Sequence, residues 1–522
     1  MNLRLFKPTI ASFGYGLTIA IAATTIWGGA FPLLPLEVQT FELLTVFFYA
    51  QSIAFTGSFL LAMCCAYWLP HVFRHIPVSG CVFSTLLGST CLIAPLYLPA
   101  FMYGLIVGGG ILLGMGSAVF LILWQRVFAS QDTDKGNLNL IIGTGYSALI
   151  YAVLHVIPYA VAAIVIAFVF IPLNGLCLRL STQGVEFGQP MFDDLPRENA
   201  PGYRQIVRNR WRSALCVGCF GLVSGVIRAL AVGDPSMGFV VNLASMAGAL
   251  VSALTLVFLW QRHSFRFDPV LAFRTVFPYV VTSLLLPLLL GLSFLRVYAA
   301  MMYMIFTFAS MIMMIQCAQT SRDYGINPVF MYGLFGTLVY SLQSVGFLAG
   351  YLAVPAAGPD PETLAVLAFF AAWFLSITLY FVRGHLKQAD ADPRNPLQGG
   401  SVEFIALEPP GVREGKQGAG VQPGPPEHFH GLRTQRESEF RDRISGQCSV
   451  VAKRYRLTAR ETEVIELIAR GKTVAHIAEL LVVSENTIRT HSKRAYVKLN
   501  VHKRQDLLTL LKEAGTCVNG DV

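Results

Sequence analysis

The residues best suited to chemistry lie near the end of the chain, in the stretch SENTIRTHSKRAYVKL (484–499). Ser484 is of a type that caps helix N-termini. Arg489 and Lys493 follow it and stand four residues apart, so both project from one face of the predicted helix, with Thr490 beside them. Arg and Lys can pair with guanine O6 and N7, and Thr offers a hydroxyl or methyl contact. The pattern predicts a helix that reads base edges in a DNA major groove through Arg489, Thr490 and Lys493.

A second set of residues near this helix is suited to the DNA backbone. Basic side chains contact phosphates, which fix the register of a protein on DNA and make binding salt-dependent. A helix N-terminus can hold a phosphate as well. The predicted backbone contacts are Thr487, Arg494, Lys498, Lys503 and Arg504. The alternative interpretation is a helical tail that only docks on another protein.

The elements that must position these residues are short helices with clear ends. Thr458 and Glu461 form a capping box, which predicts a helix start. Gly471 has the character of a helix C-terminus. A second short helix follows over TVAHIAELL (473–481), and a last one is predicted over about 503–513. Two short helices, a tight turn and a polar-faced third helix are typical of a helix-turn-helix.

The stretch LTARETEVIELIARGKTVAHIAELLVVSENTIRTHSKRAYVKLNVHKRQDLL (457–508) resembles the LuxR-type DNA-binding domain along its whole length. The resemblance implies a four-helix domain, over 440–522, that binds double-stranded DNA, commonly as a dimer. It also implies base contacts from the positions of Arg489, Thr490 and Lys493. The matching positions are Leu457, Thr458, Arg460, Glu461, Glu463, Val464, Gly471, Ile477, Ala478, Leu480, Ser484, Thr487, Ile488, His491, Tyr496, Lys498, Leu499, Arg504 and Leu507.

The rest of the chain has the composition of a membrane protein. Of its 522 residues 54% are hydrophobic and 13% charged, against about 25% charged in soluble proteins. Segments long enough to span a bilayer are predicted near 13–35, 42–68, 80–98, 101–124, 138–157, 159–180, 213–232, 237–260, 275–294, 297–317, 328–353 and 363–382. The pattern resembles the major facilitator fold, which implies an all-α, polytopic 6+6 bundle over 1–383. Its predicted halves are about 10–180 and 213–383, joined by the loop 181–212.

Basic residues set the predicted orientation. One series of alternating loops and helix ends carries nearly all the Lys and Arg, whereas the other carries Arg296 and little else. By the positive-inside rule both termini face the cytoplasm, in a multi-pass inner membrane protein. The ten cysteines have neither metal-site nor disulfide spacing. Because catalytic, phosphate-loop and metal constellations are missing from the sequence, we predict neither an enzyme nor a cofactor.

Three polar residues within the predicted spans are candidates for binding a small molecule: Arg228, Asn242 and Gln51. A charge at membrane depth is costly and often functional, but Arg228 can also reach outward to pair with Asp234. Asn242 and Gln51 can equally serve as hydrogen-bonding groups between helices.

Residues 384–439 are rich in Pro, Gly and charge, which predicts a disordered tether. The whole pattern favours a membrane-embedded one-component transcription regulator with a membrane sensor for a small molecule. The alternative is a secondary transporter that carries a regulatory DNA-binding tail.

Overall fold

A computed structural model describes the protein over residues 7–25, 33, 40–69, 77–185, 189–192, 196, 199–233, 235–263, 265–290, 293–353, 361–382, 402–404 and 443–518. A helix lies on each of the twelve predicted spans. Ten helices in the described part of the chain are long and apolar enough to cross a membrane. The all-α, polytopic fold class predicted from the sequence is confirmed.

Among the described residues, the first half of the bundle has seven α-helical segments. Their bounds are α1 Ile10–Thr25, α2 Phe41–Trp68, α3 Val78–Ile93, α4 Met102–Ser130, α5 Thr133–Val156, α6 Tyr159–Val165 and α7 Ile171–Gln183. The π-helical turn Ile166–Phe170 joins α6 and α7 into one continuous rod. Pro158, before Tyr159, marks the break between α5 and α6 because proline cannot continue a helix.

In the part of the second half that the structure describes there are six helices: α8 Ala200–Gly233, α9 Pro235–Arg262, α10 Pro269–Leu290, α11 Ser293–Tyr324, α12 Pro328–Ala353 and α13 Pro361–Val382. Helix α8 begins well before the span predicted to start near 213. The basic stretch from Arg204 to Arg212, expected in a loop, is therefore helical. Tyr203 anchors this extension, since its ring packs edge-on against Phe330 with centroids 4.6 Å apart.

The two halves meet along two helix pairs, α2 with α12 and α5 with α9. Aromatic side chains fill the first contact. Phe59 of α2 stacks on Tyr340 of α12 at a centroid distance of 5.3 Å and meets Tyr332 edge-on. One large apolar core extends through both halves as a result.

A short β ribbon lies beside α9. Strand β1, Phe265–Phe267, pairs antiparallel with β2, Val402–Phe404. The Phe404 ring is buried between Phe265 and Trp260 at centroid distances of 4.8 and 5.3 Å. Since 402–404 falls within the predicted tether, the expectation of disorder is wrong for these residues. Burial of the alternate apolar side chains Val402 and Phe404 stabilises this strand. The Pro- and Gly-rich composition of the surrounding segment did not predict it. The rest of 384–439 lies outside the described residues.

Residues 443–518 form five helices: α14 Arg443–Arg454, α15 Ala459–Ala469, α16 Val474–Leu480, α17 Glu485–Leu499 and α18 Arg504–Val518. They surround an apolar core of their own, separate from that of the bundle. Its centre includes the fully buried Val464, Ile477, Ile488 and Leu507. We call residues 443–518 the C-terminal domain. Helix α18 extends about five residues beyond its predicted end.

Candidate nucleic-acid interface and membrane cavity

The start of α15 has the predicted capping box. The Glu461 amide donates to Thr458 Oγ1 at 3.2 Å, and the Thr458 amide donates to Glu461 Oε2 at 2.8 Å. The same carboxylate oxygen accepts from Lys498 Nζ at 2.6 Å. Burial acts to raise the pKa of Glu461, but the Lys498 ammonium and the Thr458 amide outweigh it and hold that pKa below its usual range. The box thus ties α15 to the end of α17.

Helix α15 ends in a tight turn at Gly471, which leads into α16. Gly471 has φ +81°, where a side chain would be strained. Its amide donates to the Ile468 carbonyl, and the Lys472 amide donates to the Leu467 carbonyl at 3.1 Å, which is the Schellman arrangement. The C-terminal role predicted for Gly471 is confirmed.

Helix α17 is capped as the sequence predicted. The Thr487 amide donates to Ser484 Oγ at 3.2 Å, and Ile488, Ala495 and Leu499 turn one face of the helix into the core. The opposite face is open to solvent.

The three predicted base contacts lie on that open face. The Arg489 side chain is 66% exposed and pairs with Glu485 of its own helix at 3.3 Å. Thr490 Oγ1 donates to the Asn486 carbonyl one turn back, so its methyl group is the part left to face outward. Lys493 is exposed as well. A protruding helix with two long cations and a methyl group has the size and chemistry of a major-groove reader.

Residues 455–511 match the model of the family described as bacterial regulatory proteins, luxR family. The spore germination protein GerE of Bacillus subtilis (strain 168) is 42% identical over 59 residues, which cover 11% of this chain and 80% of that protein. The chain belongs to the luxR family. The C-terminal domain is therefore a luxR-type helix-turn-helix DNA-binding domain, as its sequence predicted.

A second luxR-type relative is the uncharacterized response regulatory protein YgeK of Escherichia coli (strain K12), 36% identical over 80 residues. These residues cover 15% of this chain and 54% of that protein. The chain thus spans about half the length of this relative, and the match concerns the luxR-type domain alone.

The predicted backbone contacts of the luxR-type domain fall into two groups. Arg494 and Lys503 are exposed, and Thr487 Oγ1 lies 2.8 Å from Ser484 Oγ at the helix start. Lys498 and Arg504 instead have protein partners. Lys498 pairs with Glu461, and Arg504 Nε donates to the Ile468 carbonyl at 3.1 Å while its Nη1 lies 3.3 Å from Asp132 Oδ1 of the membrane bundle. For these two residues a phosphate would compete with an existing contact.

The turn between α16 and α17 holds a valine in an unfavourable conformation. Val482 has φ +54° and is 90% exposed. The amide of Val483 closes this turn by donating to the Ala478 carbonyl at 2.9 Å. A β-branched residue in left-handed backbone is strained, and exposure leaves little burial to offset that cost.

We expect Val482→Gly to stabilise the luxR-type domain. Left-handed backbone costs a residue with a Cβ about 1–2 kcal/mol, whereas glycine loses about 0.5–1 kcal/mol more entropy on folding. The net gain in the free energy of unfolding should be about 0.5–1 kcal/mol, measured by urea titration of fragment 440–522. Val497→Gly is the control, because Val497 is also exposed but lies inside α17, and there glycine should destabilise. Equal destabilisation by both changes would contradict the strain argument.

A cavity of about 60 Å³ lies between the halves of the bundle. Helices α1, α4 and α5 line it from one side and α9, α11 and α12 from the other. Four tyrosines, small hydroxyl residues and thioethers make up most of its wall, and every lining residue is uncharged: Tyr15, Ile19, Leu121, Thr144, Ser245, Met246, Tyr303, Phe306, Thr307, Ser310, Met311, Met314, Tyr332 and Tyr340.

Two of the three candidate ligand residues chosen from the sequence, Gln51 and Asn242, are not among the residues that line the cavity. Gln51 Nε2 donates to the Thr25 carbonyl at 2.9 Å and so joins α2 to the end of α1. Asn242 is buried on α9 but is not among the residues that line the cavity. The side chain of Arg228 lies outside the described residues. Sequence reasoning missed the tyrosines, because an aromatic residue in a span gives the same signal whether it packs or lines a cavity.

Two solved transporter structures are similar to the membrane part. One is a bacterial homologue of the iron transporter ferroportin in the outward-facing state, with TM-score 0.48, 13% identity, and coverage of 73% of this chain and 98% of that one. The other is the major facilitator superfamily transporter FucP in the outward conformation, with TM-score 0.48, 12% identity, and coverage of 72% and 97%. The second belongs to the family that the span pattern resembles. Identities of 12–13% assign no transported solute to the present chain. The chain is a multi-pass membrane protein with a luxR-type domain.

Proposed function

We propose that the protein is a membrane-embedded one-component transcription regulator. Its luxR-type domain binds a specific DNA sequence through Arg489, Thr490 and Lys493, with Thr487, Arg494, Lys498, Lys503 and Arg504 as phosphate contacts. The observation that carries the proposal is the open face of α17, where the proposed base contacts stand free of the domain's core. Lys and Arg asymmetry between the loops supports an inner membrane location with both termini in the cytoplasm.

The test of DNA recognition is selection from a pool of randomised duplexes by fragment 440–522. The proposal expects one common sequence to be enriched, with a two-fold repeat if the domain binds as a homodimer. Recovery of duplexes without a shared sequence would contradict it.

We place the sensory site of the regulator in the cavity between the halves. An ionised ligand would lose its hydration there without gaining a counter-charge, which is costly. The Ser310 hydroxyl oxygen is buried at this cavity and has no hydrogen-bond partner among the described residues, so it offers one polar contact. These features favour an uncharged, ring-bearing small molecule with a hydroxyl or carbonyl group.

Three probes that share one ring but differ in charge test this choice. We expect benzyl alcohol to raise the thermal midpoint of the full chain in detergent, and benzoate and benzylamine to leave it unchanged. Ser310→Ala should weaken benzyl alcohol binding by about 2–10-fold, which corresponds to one hydrogen bond. Ser58→Ala is the control, because Ser58 bonds to its own helix and is not a lining residue. Preference for a charged probe would overturn the assignment.

A secondary transporter with a DNA-binding tail is the second candidate, since a cavity between two halves could also carry a solute. Uptake of benzyl alcohol analogues by proteoliposomes, lost in Ser310→Phe, would favour it over the sensor.

A further inference from the structure

The luxR-type domain contacts both halves of the membrane bundle at the same end. Lys472 Nζ lies 3.0 Å from Asp323 Oδ1, near the end of α11 in the second half. Arg504 Nη1 lies 3.3 Å from Asp132 Oδ1, in the connection between α4 and α5 of the first half. Two cations of one domain therefore pair with two carboxylates that belong to different halves.

The halves are tied to each other at this same place. The Arg322 side chain is buried, and its Nη1 donates to the carbonyls of Phe128 and Gln131 at 3.0 and 3.2 Å. Arg322 belongs to α11, whereas Phe128 lies in the last turn of α4. Arg322 thus helps to fix the spacing between the carboxylates of Asp132 and Asp323 in this arrangement of the bundle.

Close packing accompanies the ion pairs. A Cβ on Gly471 would lie 3.5 Å from Arg322 Cδ, and one on Gly325 would lie 3.1 Å from Ile444 Cδ1 of α14. The turn after α15 and helix α14 therefore fit directly against the end of α11. Lys472 is only 7% exposed in this contact, so its pair with Asp323 is less screened by solvent than a surface pair.

We propose that Asp132, Asp323 and Gly325 form a docking surface for the chain's own luxR-type domain, which holds the domain only while the two halves are closed together at this end. Opening separates the two carboxylates and releases the domain. The effect of docking on DNA binding rests on the proposed function, in which Arg504 contacts a DNA phosphate. Arg504 cannot pair with Asp132 and with a phosphate at once. Docking and DNA binding therefore oppose each other, and by linkage each weakens the other by the same factor.

The contact itself is tested without DNA. A carbodiimide, which joins an ammonium and a carboxylate that touch, should cross-link Lys472 to Asp323 in the full chain in nanodiscs, as read by peptide mass spectrometry. Arg322→Gln should lower the yield, although it changes neither cross-linked residue, because it loosens the end of α11 from α4. Absence of the cross-link in the unmodified chain would overturn the docking surface, and an unchanged yield in Arg322→Gln would overturn its dependence on closure.

The consequence is tested with the DNA sequence that fragment 440–522 selects. Asp323→Asn in the full chain should tighten DNA binding at least about fivefold, the lower end of typical coupling between sites. Asp268→Asn is the matched control, since Asp268 caps α10 of the bundle, and it should change nothing. A charge swap tests the same pair. Asp323→Lys in the full chain should tighten DNA binding, and adding Lys472→Asp should restore the original affinity. The direct effect of Lys472→Asp on DNA binding is measured in the fragment and subtracted.

The outcomes separate the two proposals. A fragment that selects no DNA sequence would remove the proposed function, and the cross-link would still decide the docking surface. A fragment that binds its sequence, with equal DNA affinity for the full chain and its Asp323→Asn variant, would overturn the opposition between docking and DNA.

Discussion

Replacing both Arg489 and Lys493 by alanine in fragment 440–522 is expected to abolish sequence-specific DNA binding. Each of these side chains can make a bidentate or single contact to guanine, and a good bidentate pair contributes about 1–3 kcal/mol of discrimination. Loss of both should weaken binding to the selected sequence by about 2–6 kcal/mol. Both side chains are exposed, and the Arg489 pair with Glu485 is a surface contact of small energy, so the fold should remain.

The measurement is titration of the selected duplex and of an unrelated duplex at one salt concentration. The control removes two cations from other helices of the domain, Lys453→Ala with Arg460→Ala, and should weaken binding to both duplexes alike. A double variant of Arg489 and Lys493 that still prefers the selected duplex over the unrelated one by the same factor as the unmodified fragment would refute the assigned base contacts.

The second large effect is expected inside the membrane bundle, at Gly346. Helices α8 and α12 cross so closely that a Cβ on Gly346 would overlap the carbonyl oxygen of Leu222, and one on Gly225 would overlap that of Gln343. Small residues permit such close approach of backbones in a membrane. Since the obstacle is backbone, a side-chain rotation cannot relieve it, and the helices must move apart.

Gly346→Ala should therefore lower stability by at least the roughly 1–3 kcal/mol of ordinary overpacking, and Gly346→Val should eliminate the folded protein. Size-exclusion yield and thermal midpoint in detergent measure both effects. Gly108→Ala is the control, because a Cβ at that position of α4 would meet no neighbouring group of the described residues within 4 Å. A normal midpoint for Gly346→Ala would show that the crossing is looser than the structure has it.

Much of the C-terminal domain follows from its sequence because its signals are local. A cap joins residues three apart, as in Thr458 with Glu461 and Ser484 with Thr487. The placement of Arg489, Thr490 and Lys493 on one exposed face needs only the period of a helix. Spans are equally local, since length and hydropathy decide them, and a helix lies on every predicted one.

The tertiary structure alone decided which polar groups meet. Gln51 has the chemistry of a ligand contact, yet the Thr25 carbonyl from another helix takes its amide. Phe404 belongs to a Pro- and Gly-rich segment, yet the aromatic pocket beside Trp260 orders it. Arg504 was expected on DNA, but Asp132, far away in sequence, lies beside it. Helix caps, helix faces and spans depend on neighbours within a few turns, which the sequence contains. The partner of a buried amide or a paired cation depends on which distant elements pack together, and only the folded chain determines that.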